Sequence, residues 1–276
     1  MSDRPVGLPA AMEVSTRAGR LSCDELGSGP PVLLLASGGH DHGDWDLVRP
    51  ALADHFRTIA PDWPGHGRNG SPSAGWTPST AGFADAVEDV IDAVASEPVA
   101  LIGNSVGGFA AARLAIRRPE RVRALVLVAG GGFRPVGPPE RLFNWAMSHR
   151  RFMRVCYPWF ARWYVRPDSD FSTGVVAAAV ANARRPGTTE VLNGLWRSFS
   201  TPQADLSATA GAISVPTLLV WGRRDPVLPP AVGRRAARLM TGARLVVLDT
   251  GHVPFATKPD AFLAEVLPFL LHHHAR

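Results

Sequence analysis

The sequence predicts an α/β fold: a mostly parallel central sheet flanked by helices, with a helical segment inserted late in the chain. Three observations predict it. Short apolar runs alternate with stretches of helical period at both ends of the chain. Residues 99–112, VALIGNSVGGFAAA, pass from a buried-strand pattern straight into an Ala-rich helical one through Gly103-Asn104-Ser105-Val106-Gly107-Gly108. Between about residues 130 and 207 the strand pattern stops and only helical patterns follow. Strands separated by helices require crossover connections, which are right-handed and leave neighbouring strands parallel.

In chain order, residues 11–26 hold two short segments read as edge strands, ending at the turn Gly27-Ser28-Gly29-Pro30. Residues 31–36 form an apolar run bounded by glycines, the pattern of a strand buried on both faces. The run stops at Ser37-Gly38-Gly39-His40, where glycines let the backbone approach a ligand. Residues 44–54 read as a short helix capped by Asp44, and residues 57–61 as a strand followed by a tight Gly/Pro loop from Asp62 to Arg68. Ser79 caps a helix with Phe83, Val87, Val90, Ile91 and Val94 at helical spacing. The strand–turn–helix at Ser105 follows; Pro119 ends its helix, and residues 122–129 make the next strand.

The insertion opens on Gly130-Gly131-Gly132 and Pro135, Pro138 and Pro139. Residues 140–166 are rich in aromatics, which read as packing the insertion and lining an apolar pocket, and residues 175–199 carry two more helical stretches broken near Pro186-Gly187. Strands at 215–221 and 244–248 and helices at 231–240 and 259–271 complete the chain. The domain reading is a core of residues 1–132 and 208–276 and a helical lid of residues 133–207.

A chain of 276 residues with 46% hydrophobic content suits one large domain with a sizeable core. Cys23 and Cys156 lie far apart without metal-ligand spacing, so no disulfide framework and no metal site are expected. The net charge of +5 comes with a single lysine, Lys258, among 29 basic residues, which reads as compositional bias; no nucleic-acid module is visible. The first twenty residues lack the apolar segment of a secretory signal, and no stretch reaches the ~18 to 20 unbroken apolar residues of a membrane span. The expectation is a cytoplasmic protein.

A strand turning directly into a helix leaves little room at its apex, which accounts for Gly103 and Gly107 on either side of Ser105. That geometry lifts the Ser105 hydroxyl out of the sheet and sets the Val106 N–H beside it, a nucleophile next to half an anion site. Taken alone, the same stretch also reads as a turn that cradles a phosphate or packs tightly. A serine nucleophile needs a base, and His252 lies just past the strand at 244–248. Asp225, just past the strand at 215–221, is the carboxylate to orient it, although on its own it reads as a turn residue before Pro226.

With GSGPPVLLLASGG, DWPGHGRNGSP, GNSVGG, PTLLVWGRRDPVLP and DTGHVPF in this order, the chain resembles the α/β-hydrolase superfamily over essentially its whole length. The resemblance implies Ser105 as nucleophile, His252 as base, Asp225 as acid, and the insertion as a lid over the pocket. Members commonly carry a His-Gly-x motif ending the third strand; here Ala36 and Ser37 stand at its first two positions, and Gly38 at the oxyanion donor beside Val106. Gly39 is the alternative donor. His40 fills the space left by the histidine or faces substrate, while His42 is expected to face solvent.

GNSVGG and PERVRALVLVAGGG also resemble carbon–carbon bond hydrolases of vinylogous diketones, in which the asparagine at the position of Asn104 contacts substrate. Their usual tryptophan and lid arginine are replaced by Val253 and Ala178. Gly39, His40, Asn104, Trp145 and Val253 are the residues expected at the substrate. The expected activity is cofactor-independent hydrolysis of a carboxylic ester or lactone of a small, largely apolar molecule through an acyl-enzyme. Carbon–carbon bond hydrolysis, a nonhydrolytic cyclase or lyase, acyl transfer and a ligand receptor are the alternatives. The insertion's arginines, from Arg134 to Arg166 against Glu140 alone, read either as a solvated face or as a surface for an anionic substrate, an acyl carrier or an acidic lipid.

Overall fold

The computed structural model describes residues 10–274. Residues 1–9, which carry part of the reading of the N-terminus, lie outside the described residues, as do 275 and 276. The strands are β1 (Ala10–Thr16), β2 (Gly19–Leu26), β3 (Pro31–Leu35), β4 (Arg57–Pro61), β5 (Val99–Asn104), β6 (Val122–Val128), β7 (Thr217–Gly222) and β8 (Arg244–Leu248). The core helices are α1 (Arg49–Ala53), α2 (Thr80–Val94) and α3 (Val106–Arg117). Between β6 and β7 come α4 (Pro138–Met147), α5 (Arg150–Val165), α6 (Asp170–Arg184) and α7 (Pro186–Ser198). The chain then adds α8 (Pro230–Leu239), α9 (Pro254–Thr257) and α10 (Pro259–His274).

The strands form one eight-stranded sheet in the order β1-β2-β4-β3-β5-β6-β7-β8. From β4 to β8 every pairing is parallel, and only the β1–β2 and β2–β4 pairings are antiparallel. Every residue of β3, β5 and β7 is buried, as their unbroken apolar runs require of strands covered on both faces. β2, read from the sequence as an edge strand, lies inside the sheet because it pairs with both β1 and β4. The true edges are β1 and β8, and the residues of β8 are only partly covered. α2 lays Phe83, Val87, Val90 and Ile91 into the core, and Ser79 caps it by accepting from the Gly82 N–H. Each such fully buried large apolar side chain contributes roughly 1.5 to 3 kcal/mol.

The expected helix at 44–54 is two pieces, a 3-10 turn (His42–Trp45) and α1. Asp41, not Asp44, caps the first piece by accepting from the Gly43 N–H at 3.0 Å. Asp44 instead turns inward, buried, against His40.

At the end of β5 the chain reverses into α3 through Ser105, whose backbone adopts φ 55° and ψ −113°, a sparsely populated conformation that the surroundings hold in place. A Cβ on Gly103 would lie 2.4 Å from the Gly107 carbonyl oxygen, and one on Gly107 would lie 2.3 Å from the Leu35 carbonyl oxygen. These obstacles are backbone, so they do not rotate away. Gly107→Ala is therefore expected to destabilise the fold by about 3 kcal/mol, read as a lower urea midpoint at unchanged slope. An unchanged midpoint would show that β3 and α3 can move apart at little cost.

Candidate active site

The loops after β3, β5, β7 and β8 gather at the carboxyl ends of the parallel strands, where this sheet architecture opens a crevice. His252, in the loop after β8, is buried with its Nδ1 2.6 Å from Asp225 Oδ2. The other oxygen of Asp225 accepts from the N–H groups of Val227 and Leu228 at 2.9 and 3.0 Å, so the carboxylate is held at both ends. The backbone of His252 is held as well. Its N–H donates to the Tyr164 carbonyl at 3.0 Å, and its own carbonyl accepts from Asn104 Nδ2 at 3.0 Å.

Ser105 and His252 both line a cavity of about 520 Å³. Ser37, Gly38 and Val106 stand beside them, and the remaining wall is largely aromatic: Phe109 from α3, with Phe133, Phe143, Tyr157, Phe160, Trp163, Tyr164, Trp196 and Phe199 from the insertion. Such a wall suits an apolar guest oriented by a few polar groups.

The residues expected at the substrate sit elsewhere. Gly39, His40, Asn104, Trp145 and Val253 are not among those lining this cavity. Asn104 spends its amide N–H groups on the carbonyls of Val128 and His252, tying the end of β5 to its neighbours. Val253 is fully buried, and Trp145 is 61% exposed with its ring against His149. Gly39 has φ +92°, and its N–H donates to His66 Nε2 at 3.0 Å. His40 points into the interior, 2.5 Å from Asp44 and 2.5 Å from the Tyr164 hydroxyl. His42, expected to face solvent, is bound through both its backbone and its ring to the buried Asp62.

These contacts build a support for the loop after β3. Trp63 Nε1 donates to the Ala36 carbonyl at 3.0 Å. The peptide joining Gly38 to Gly39 is clamped from both sides, its carbonyl accepting from the Tyr157 hydroxyl at 3.3 Å and its N–H donating to His66. Tyr157 is hydrogen-bonded to Tyr164, which connects onward to His40 and Asp44, and burial keeps both phenols neutral. Among the described residues the Gly38 N–H finds no hydrogen-bond partner. The sequence reading placed Tyr157 and Tyr164 among the aromatics of an apolar pocket, which they do line, but gave neither them nor His66 a part in holding this loop. A signal for the tyrosines was present: Met153, Tyr157, Phe160 and Tyr164 follow the 3–4 spacing of one buried face of α5.

Burial pushes the pKa of His66 down to about 4 from its ordinary 6.5. Its Nδ1 meets the Pro64 carbonyl at 2.9 Å, which leaves Nε2 as the acceptor for Gly39. Because the folded state resists protonation here, the unfolded state binds more protons between the two values. Stability from this group is complete above about pH 6.5 and is lost as pH falls through 4, a total of about 3 kcal/mol. Urea unfolding at neutral and acidic pH should show the difference shrinking in His66→Gln. An identical pH slope in the variant would remove His66 from the account.

Asp41, His42 and Asp62 place potential ligand atoms within 4.8 Å of one another. Their carboxylate oxygens are already engaged by N–H groups, those of Asp41 by Gly43 and Asn182 and those of Asp62 by His42 and Arg68. The cluster is thus a hydrogen-bonded brace for the loop.

A mostly parallel eight-stranded sheet with its candidate residues on the loops after β5, β7 and β8 has the architecture of the α/β hydrolases. The chain belongs to the alpha/beta hydrolase family, whose sequence profile matches residues 32–266. It is 30% identical over 248 residues to a pimeloyl-[acyl-carrier protein] methyl ester esterase of Neisseria meningitidis serogroup C, covering 84% of this chain and 90% of that one. Among solved structures, the enol-lactonase of Burkholderia xenovorans LB400 superposes with a TM-score of 0.81 at 24% identity, over 94% of this chain and 100% of that one. The meta-cleavage product hydrolase of Pseudomonas fluorescens IP01 gives 0.77 at 23% identity, over 97% and 98%. At those identities the two structures speak for the fold.

Proposed function

We propose that this protein is a serine hydrolase that cleaves a carboxylic ester or lactone of a small, largely apolar substrate through an acyl-enzyme. One observation carries the reading: Ser105 and His252 open onto the same aromatic cavity while Asp225 holds the far side of the His252 ring. His252 takes the proton of Ser105 as its oxygen attacks the acyl carbon, and Asp225 favours the imidazolium that results. The oxyanion is received by the N–H groups of Val106, at the start of α3, and Gly38. Gly39 is the weaker candidate because its N–H is already given to His66. Loss of one such donor costs roughly 2.7 to 4 kcal/mol of transition-state stabilisation where it has been measured. The alcohol leaves with the proton from His252, and a water activated by the same ring releases the acid. α4 to α7 act as the lid, with α5 and α7 supplying much of the aromatic wall.

The esterase relative from Neisseria supports an ester substrate. Carbon–carbon bond cleavage draws no support from the site, because neither Asn104, whose amide N–H groups go to backbone carbonyls, nor Val253 lies on the cavity wall. The test is intact-mass detection of covalent labelling by a small fluorophosphonate, followed by assays of acid release from methyl esters and lactones in ¹⁸O-water. Stoichiometric labelling and one ¹⁸O in the released acid are expected. A folded protein that neither labels nor turns over any ester or lactone would overturn the proposal.

A further inference from the structure

α5 has two apolar faces. The inner one is buried in the insertion and cavity wall. The outer one carries Phe152, Val155, Trp159 and Trp163 at spacings of three, four and four residues, the two tryptophan rings stacked at 5.6 Å. Val155 is 79% exposed and Trp159 67%. The neighbouring α4 adds Leu142 and Trp145, both more than half exposed. A helix with this many outward aromatics has an unmet partner, since exposed patches of this kind mark interaction surfaces.

The charges around the patch indicate what the partner is. Arg141, Arg150, Arg151, Arg154, Arg162 and Arg166 are exposed and form no ion pair among the described residues, and Arg134 alone is matched, by Glu140 at 2.8 Å. Arginine bias does not account for this. On α3 and just after it, Arg113, Arg117 and Arg118 all meet carboxylates of α2. A second copy of the same face would set arginines against arginines. A carrier protein would satisfy the charge but would leave a stripe of tryptophan and phenylalanine to be buried on a largely polar surface. An anionic lipid surface satisfies both, with phosphates for the guanidinium groups and an acyl boundary for the aromatic rings.

We propose that the outer face of α4 and α5 docks on an anionic phospholipid surface. No helix among the described residues is long and apolar enough to cross a membrane, so α5 lies along the interface. Phe143 and Trp163 belong to both the exposed face and the cavity wall, so the docked surface adjoins the site. An amphiphilic substrate can then pass from lipid to cavity along apolar contacts.

Cosedimentation of the full chain with phosphatidylcholine vesicles, with and without phosphatidylglycerol, tests the proposal. Binding is expected only with phosphatidylglycerol, and it should weaken as salt rises. Trp159→Ala with Val155→Ser, and separately Arg151→Glu with Arg154→Glu, should each reduce partitioning by about tenfold or more while circular dichroism stays unchanged. Arg234→Glu with Arg238→Glu, exposed positions on α8, should leave it unchanged. Ser105→Ala should bind vesicles like the native protein, which separates this result from the hydrolytic reading. No binding to phosphatidylglycerol vesicles, equal loss in the α8 control, a dimer held by the same aromatics, or binding to an acidic acyl carrier in place of vesicles would each overturn the proposal.

Discussion

Ser105→Ala is expected to lower ester turnover by a factor on the order of 10⁶ and to abolish fluorophosphonate labelling, with the unfolding midpoint close to that of the native protein. The separation of the two effects follows from the site. The Ser105 side chain makes no capping hydrogen bond to α3, so the fold loses no contact with the hydroxyl. Alanine also has no more difficulty than serine with the backbone at φ 55°, since both carry one Cβ and neither branches there. On the proposed mechanism what disappears is the nucleophile, and the remaining groups can offer only binding and polarisation. Retention of more than a hundredth of the native rate, with folding confirmed, would move the nucleophile to another residue.

Asp225→Asn is expected to lower kcat by about 10⁴, again with little change in stability. One carboxylate oxygen accepts from the N–H groups of Val227 and Leu228, and the other meets His252 Nδ1. An asparagine keeps its carbonyl on the two backbone donors, since turning its NH2 toward them would set donor against donor. The NH2 must then face Nδ1, which forces the imidazole to carry its proton on Nε2. A histidine in that tautomer cannot accept the proton of Ser105. The effect should therefore lie in kcat with KM nearly unchanged, and a loss smaller than tenfold would mean that Asp225 does not orient the ring. Slower fluorophosphonate labelling in the same variant provides an independent reading.

Much of the fold was legible because it is written locally. The apolar runs that became β3, β5, β6 and β7 need no knowledge of the rest of the chain, and neither does the capping of α2 by Ser79. The errors arose where a residue had two local options. Asp44 resembles a helix cap in sequence, but its partner is His40, which turns inward after β3. Trp145 resembles a pocket aromatic, yet α4 presents it to the outside while Phe143, two positions earlier, reaches the cavity.

The sequence by itself determined the order of strands and helices along the chain, the turn at Ser105, and the set of residue types able to do acyl chemistry. Those depend on backbone preference and spacing, which are properties of short segments. Tertiary structure alone decided which glycine of the loop after β3 keeps a free N–H, since the partners of that loop, His66 and Tyr157, lie 27 and 119 positions away along the chain. It also decided which face of α5 lines the cavity and which meets the outside. A hydrogen bond between distant residues leaves no pattern in either segment, because each donor and acceptor is common and only the packing of the sheet against the insertion brings them together.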